Sequence, residues 1–199
     1  EGVRASFVAS SDNHLGWMGN ALSSEKSVMP GLAAFVTPDL TTAGIFGALR
    51  DRATYATSGQ RILVDYRLTE DGVSVEQGGD HLGDSPTFSW SIHGTAPIET
   101  IRLVGLSLAS GEVPFTLYEE NPRVLDVDGS FELGRSDWSR STMAVWLEVI
   151  QDDGELAWGS PLYIEDAGCG CSTTQNGALW APLVAFLGVL LRRKRRGLR

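Results

Sequence analysis

From Arg61 onward the chain repeats with period two, and no other feature restricts its fold as much. Ile62, Val64, Tyr66 and Leu68 alternate with Leu63, Asp65 and Arg67; Phe88, Trp90 and Ile92 alternate with Ser89 and Ser91; Met143, Val145, Leu147 and Val149 mark one face of a further run. Successive side chains of a strand point to opposite faces, so each run predicts a strand with one apolar face. Shorter runs near Ile98–Val104, Glu112–Tyr118, Phe131–Leu133 and Leu156–Ile164 bring the total to about seven strands, separated by Gly, Pro and Asp turns. We expect an antiparallel β-sandwich over residues 60–166, with a domain boundary near Gly59.

The first 59 residues read differently. A short apolar run, Ala5 to Ala9, leads into Ser10-Ser11-Asp12-Asn13-His14, and residues two apart in an extended segment point the same way. Asp12 and His14 can therefore converge on one ion, although they supply only part of a ligand set; an Asx-type turn with an incidental histidine is the plain alternative. A long Gly/Ser/Met loop, Leu15 to Pro30, precedes a second apolar run, Leu32 to Val36. A helix is predicted over Thr41 to Arg52, capped at Asp39 or Thr41, with Arg50 and Arg52 suiting the dipole at its carboxyl end. Strand, loop, strand, helix is the punctuation of an α/β unit, and in a barrel Asp12 and His14 would sit at the carboxyl ends of strands, where barrel enzymes place their chemistry. Tyr55, Thr57 and Ser58 would bring hydroxyls back to that rim, unless the stretch is a polar linker leaving the domain.

His81, within Gly78-Gly79-Asp80-His81-Leu82-Gly83-Asp84, and His93, at the end of the Phe88–Ile92 run, read as turn or surface residues. Trp138, Trp146 and Trp158 could stack on sugar rings, but tryptophans of a small sandwich more often fill its core.

Charge separates the body from the tail. All 25 acidic residues precede Ala167, whereas six of the 16 basic residues lie at or after Arg192. The body is strongly acidic and would repel phosphate backbones, so nucleic acid is not an expected partner. Two cysteines, Cys169 and Cys171, are separated by one residue, which strains a mutual disulfide and leaves no second pair for a zinc site. Behind them come a polar spacer, Ser172 to Asn176, an apolar run of 15 residues, Gly177 to Leu191, and the cluster Arg192, Arg193, Lys194, Arg195 and Arg196. That run predicts a short hydrophobic anchor helix whose basic end stays cytoplasmic, with everything before it outside. The chain opens at Glu1 almost directly into a strand, so we expect it to be the carboxy-terminal part of a longer protein.

The tail from Gly168 to Arg196 resembles the MYXO-CTERM sorting signal of myxobacteria-like Gram-negative bacteria: a Gly/Cys motif, a short transmembrane segment and an Arg-rich end, in that order. The resemblance implies processing by a sorting protease near Cys169 or Cys171 and an exported protein held at the cell surface or outer membrane. Residues 8–14, Gly31 to Val36 and the block Ile45 to Gly59 resemble the end of a polymerase-and-histidinol-phosphatase (PHP) superfamily domain, and Gly94 to Glu99 and Asp153 to Pro161 resemble the β domain behind it.

Within that likeness the family's last metal motif, Asp-x-His, falls on Asp12 and His14; its earlier motifs have no counterpart in this chain. The implied whole is α+β: the end of a PHP-type distorted α/β barrel (1–59), an antiparallel β-sandwich (60–166) and a sorting and anchor tail (167–199). The implied activity is that of a surface-anchored metal-dependent hydrolase, a phosphoesterase using divalent zinc, manganese or iron on a phosphoester or other small-molecule substrate. This fragment alone would be inactive, because two ligands fall short of a catalytic site. The competing expectation is a non-catalytic surface protein whose sandwich binds glycan or protein.

Overall fold

The computed structural model describes residues 3–11, 30–108, 113–134, 137 and 142–165. By compactness the chain divides after Ala167, and all described residues belong to the first unit, Glu1–Ala167. In chain order the elements are β1 (Leu32–Phe35), α1 (Thr42–Arg50), β2 (Thr54–Thr57), β3 (Leu63–Glu70), β4 (Val73–Glu76), β5 (Asp80–Leu82), β6 (Thr87–His93), β7 (Ile98–Ser107), β8 (Phe115–Glu120), β9 (Asp126–Glu132), β10 (Met143–Gln151), β11 (Leu156–Gly159) and β12 (Leu162–Glu165).

They form two sheets. The smaller runs β4-β3-β6-β9, antiparallel throughout. Its β3–β4 hairpin turns on Asp71 and Gly72, with φ of 50° and 80°, a two-residue turn with both central residues left-handed, which an Asp-Gly pair adopts readily. The larger sheet is built on β10. On one side β7 pairs with it from end to end and carries β8 beyond. On the other side two short strands share β10: β12 beside Met143–Val145 and β11 beside Glu148–Ile150. β2 and then β1 extend the sheet past β11, while β5 lies parallel to β12.

The alternating faces meet in one core. Leu68, Phe88 and Ile92 of the smaller sheet and Leu103, Met143, Val145, Leu147 and Leu162 of the larger are fully buried. Each such side chain contributes about 1.5–3 kcal/mol of transfer free energy, so this shared interior dominates stability. Tyr66 lies in it, stacked on Phe88 at 5.1 Å, with its hydroxyl donating to the Ser160 carbonyl.

The outer face of the larger sheet is covered by residues 3–11. The Ala5 amide donates to the Tyr163 hydroxyl at 2.7 Å, and that hydroxyl donates back to the Ala5 carbonyl at 2.9 Å. The Phe7 amide donates to Ser160 Oγ, the Thr54 hydroxyl donates to the Phe7 carbonyl, and the Phe7 ring meets Trp146 edge-on. Arg4 pairs with Asp80 and Glu165 and lies over the Tyr163 ring, which Arg52 also approaches.

The expected α+β architecture is therefore corrected. The structure is predominantly β, with a single described helix of nine residues, Thr42–Arg50, and no barrel. A barrel needs parallel strands joined by crossover helices, whereas β1 and β2 are antiparallel neighbours and α1 is a loop helix between them. They continue the sheet that holds the core, since Ala157, Trp158 and Gly159 register with Thr57, Ala56 and Tyr55 across the expected boundary. Where an anchor helix was expected, no helix among the described residues is long and apolar enough to cross a membrane. The apolar run Gly177 to Leu191 itself lies outside the described residues, as does the whole tail.

Candidate functional site

Asp12 and His14 lie outside the described residues, as do Cys169, Cys171, Arg192, Arg193, Lys194, Arg195 and Arg196. Among the described residues no three of His, Cys, Asp and Glu are grouped so as to hold a metal ion. With the barrel scaffold absent, the PHP-hydrolase expectation loses the strand ends on which its chemistry would stand. What the described residues do form is a pair of polar regions at the two ends of β3.

The first is at Glu70. His81, read from sequence as a turn residue, is instead the middle of β5 and 4% exposed. Its parallel pairing with β12 turns the ring inward, where Nε2 lies 2.7 Å from Glu70 Oε2. The other carboxylate oxygen accepts from the backbone N–H groups of Asp84 and Ser85 at 3.2 and 2.9 Å. Burial alone would push the Glu70 carboxyl up, but the hydrogen bond from His81 and those from Ser85 and Asp84 outweigh it, and the carboxyl is held below its ordinary value. A cleft of about 450 Å³ opens beside the pair, walled by Asp71, Val73, Asp80 and Leu82. Both oxygens of the Glu70 carboxylate are thereby partnered, one by His81 and the other by the loop. Among the described residues no hydroxyl or thiol is bonded to His81, and the pair fastens the β3–β4 hairpin of one sheet to β5 of the other. His93 is exposed at the end of β6 and pairs with Asp126 at 2.9 Å.

The second region is at Leu63, where the chain passes from the larger sheet to the smaller. Leu32 and Ala34 of β1 stand opposite Thr57 and Tyr55 of β2, so these four side chains share the inward face. Together with Gln60, Arg61, Ile62 and Leu63 they line a pocket of about 280 Å³. Tyr55 donates its hydroxyl to the Ile62 carbonyl at 3.1 Å, and burial pushes its phenol up. Thr57 is 2% exposed, and its hydroxyl has no hydrogen-bond partner among the described residues. Ser58, the third hydroxyl of the expected rim, is turned away: its Oγ donates to Glu155 at 2.5 Å and accepts from the Leu156 amide, fastening β2 to β11.

The pocket continues into a wider depression of about 560 Å³ between Phe35 and Val36 on one side and Leu63, Arg67 and His93 on the other. Phe35, Val36 and Leu63, which line that depression, are exposed, as are Leu40, Phe46 and Leu49 on and before α1. β1 is the last strand on its side of the sheet, and among the described residues nothing pairs with its free edge. Arg61 and Gln60 escaped the sequence reading. An arginine before an alternating run is an ordinary boundary residue; in the folded molecule Arg50 and Arg61 have no carboxylate partner among the described residues, and of the two Arg61 lines the pocket. Arg4, Arg52, Arg67, Arg102 and Arg123 each face a carboxylate.

The tryptophans do not form a sugar platform among the described residues. Trp90 and Trp146 are buried, Trp158 is partly exposed in β11, and Trp138 lies outside the described residues.

No known protein-family model matches the chain. Among curated proteins it is similar to an uncharacterized protein of Chlamydia muridarum (strain MoPn / Nigg), 27% identical over 162 residues, which covers 72% of this chain and 24% of the relative. Uncharacterized proteins of Chlamydia pneumoniae, 26% identical over 149 residues with 68% and 23% covered, and of Chlamydia trachomatis serovar D, 25% identical over 162 residues with 72% and 24% covered, are similar in the same way. The chain thus spans about a quarter of the length of the relatives it matches. These likenesses bear neither on the PHP resemblance nor on that of the tail.

Proposed function

We propose that this chain is a β-sandwich binding module that takes an extended, apolar segment of a protein along the free edge of β1. One observation carries the reading: a strand edge with no partner among the described residues lies beside two adjoining depressions and a cluster of exposed apolar side chains. A free edge offers backbone donors and acceptors for strand addition, and alternate pockets beside it receive alternate side chains of the added strand. Monomeric proteins rarely leave such apolar surface gathered in one place without a binding role. The glycan alternative finds less support, because two of the three described tryptophans are buried.

Chemical-shift mapping of the isotope-labelled chain tests the reading. Hexapeptides of alternating apolar and hydroxyl side chains should shift the amides of Leu32 to Val36 and of Leu63, and chito- or cello-oligosaccharides should leave the spectrum unchanged. Shifts centred on Trp158 with an oligosaccharide, together with none at β1 for any peptide, would overturn it.

A further inference from the structure

The pocket under β1 carries a specificity that its apolar lining alone would not. Arg61 lines it and has no carboxylate partner among the described residues, whereas Arg67, which lines the adjoining depression, is paired with Asp65 and Glu76. Gln60 lies beside it, and Thr57 contributes a buried hydroxyl without a partner at the same wall. A buried polar group left unsatisfied is costly, and a ligand that completes its hydrogen bonding recovers that cost. A guanidinium, an amide and a hydroxyl around an apolar recess form a donor set for a carboxylate carried on an apolar group.

We infer that this pocket receives the carboxyl terminus of the bound segment, with the terminal apolar side chain in the recess between Leu32, Ala34 and Leu63 and the terminal carboxylate against Arg61. The inference rests on the strand-addition reading and adds polarity and an end to it. The wider depression lies toward Phe35 and the recess toward Leu32, so a segment ending at Arg61 runs antiparallel to β1 and continues the antiparallel pairing of β1 with β2. The four residues of β1 span about 14 Å at the rise of a strand, so roughly the last four residues of the partner make the pairing.

The test uses fluorescein-labelled hexapeptides of alternating valine and threonine ending in Val, Leu, Ile, Phe or Met, each as free acid and as terminal amide, titrated into the chain by fluorescence anisotropy. At least one free acid should bind tenfold or more tighter than its amide. In Arg61→Ala the two forms should bind alike, and Arg61→Lys should restore part of the difference. Because Arg61 is exposed, these variants retain the wild-type fold, which thermal unfolding checks. Equal binding of acid and amide to the wild type at β1 overturns the terminus while leaving the strand-addition reading standing. No binding of any peptide up to 1 mM overturns both. Binding of 4-methylpentanoate alone, Arg61-dependent and as tight as the best peptide, overturns the peptide source in favour of a free acid.

Discussion

β3 joins two regions that treat polar groups in opposite ways. At its carboxyl end Glu70 and His81 bridge the sheets, each polar atom of the carboxylate has a partner, and the sandwich is shut. At its amino end Arg61 has no ion pair among the described residues, Thr57 has a buried hydroxyl without a partner, and the space between the sheets stays open to solvent. Both regions lie on the same flank of β10, one beyond β12 and the other beyond β11. The two ends of β3 thus differ in saturation: at one the polar atoms of the carboxylate are all partnered, and at the other a buried hydroxyl and an exposed arginine are left without partners among the described residues.

Breaking the closed end should have the largest effect. His81→Ala removes the partner of a largely shielded carboxylate and leaves a void, so it should cost about 2–3 kcal/mol. In a domain of this size that lowers the melting temperature by roughly 2–4 °C per kcal/mol, read by thermal denaturation. An unchanged melting temperature would mean that the pair fastens nothing. Acid should reproduce the effect in weaker form. The Glu70 carboxyl is held below its ordinary value, so its contribution is fully present above the ordinary carboxylate range, about pH 4, and is lost as pH falls through the lowered pKa of the folded state. The melting-temperature gap between wild type and Glu70→Gln should narrow on acidification, and a gap constant from neutral to pH 2.5 would refute this. Other charged groups facing the cleft, Asp71, Asp80 and Asp84, are common to both proteins and cancel in the difference.

A matched pair on β2 sharpens the comparison further. Thr54 and Thr57 are both buried but face opposite sides of the sheet: the Thr54 hydroxyl donates to the Phe7 carbonyl and lies 3.3 Å from Ser160 Oγ, whereas the Thr57 hydroxyl is unpartnered. Thr54→Val should cost about 1–2 kcal/mol in urea denaturation, because it leaves bonded partners stranded. Thr57→Val should fall within about 0.5 kcal/mol of wild type or stabilise slightly, since it removes a group that had nothing to lose. Equal costs would show that the hydroxyl of Thr57 is satisfied in solution and would weaken the open-pocket reading.

The strands that alternate cleanly were legible in the sequence because period two is a local signal. Val64 to Leu68 and Phe88 to Ile92 lie in strands with one face buried, and Met143 to Val149 lies in a strand buried on both faces over its first half. Leu32 to Val36 was not assignable in the same way. A short continuous apolar run fits a buried parallel strand of an α/β unit as well as an antiparallel strand at a sheet margin, and its partner across β2 is set by β11, about a hundred residues later. His81 was misread for a related reason: its burial comes from pairing with β12, and glycines and aspartates on either side supply every local sign of a turn. Tyr55 and Thr57 were picked out as hydroxyls near a rim and do line a pocket, but Arg61 acquires meaning only once every other pairing is known.

The cover that residues 3–11 lay over the larger sheet sets the order of events during synthesis. Ala5 and Tyr163 exchange two hydrogen bonds across 158 positions of chain, and Phe7 bonds to Ser160 across 153. Until β12 has left the ribosome, Ala5 lacks the Tyr163 hydroxyl and Arg4 lacks the Glu165 carboxylate. Contacts of such long range slow the search for the native state, because the loop must close before any of them is made. The docking of Arg4 and Ala5 should therefore be complete only after translation has passed residue 165.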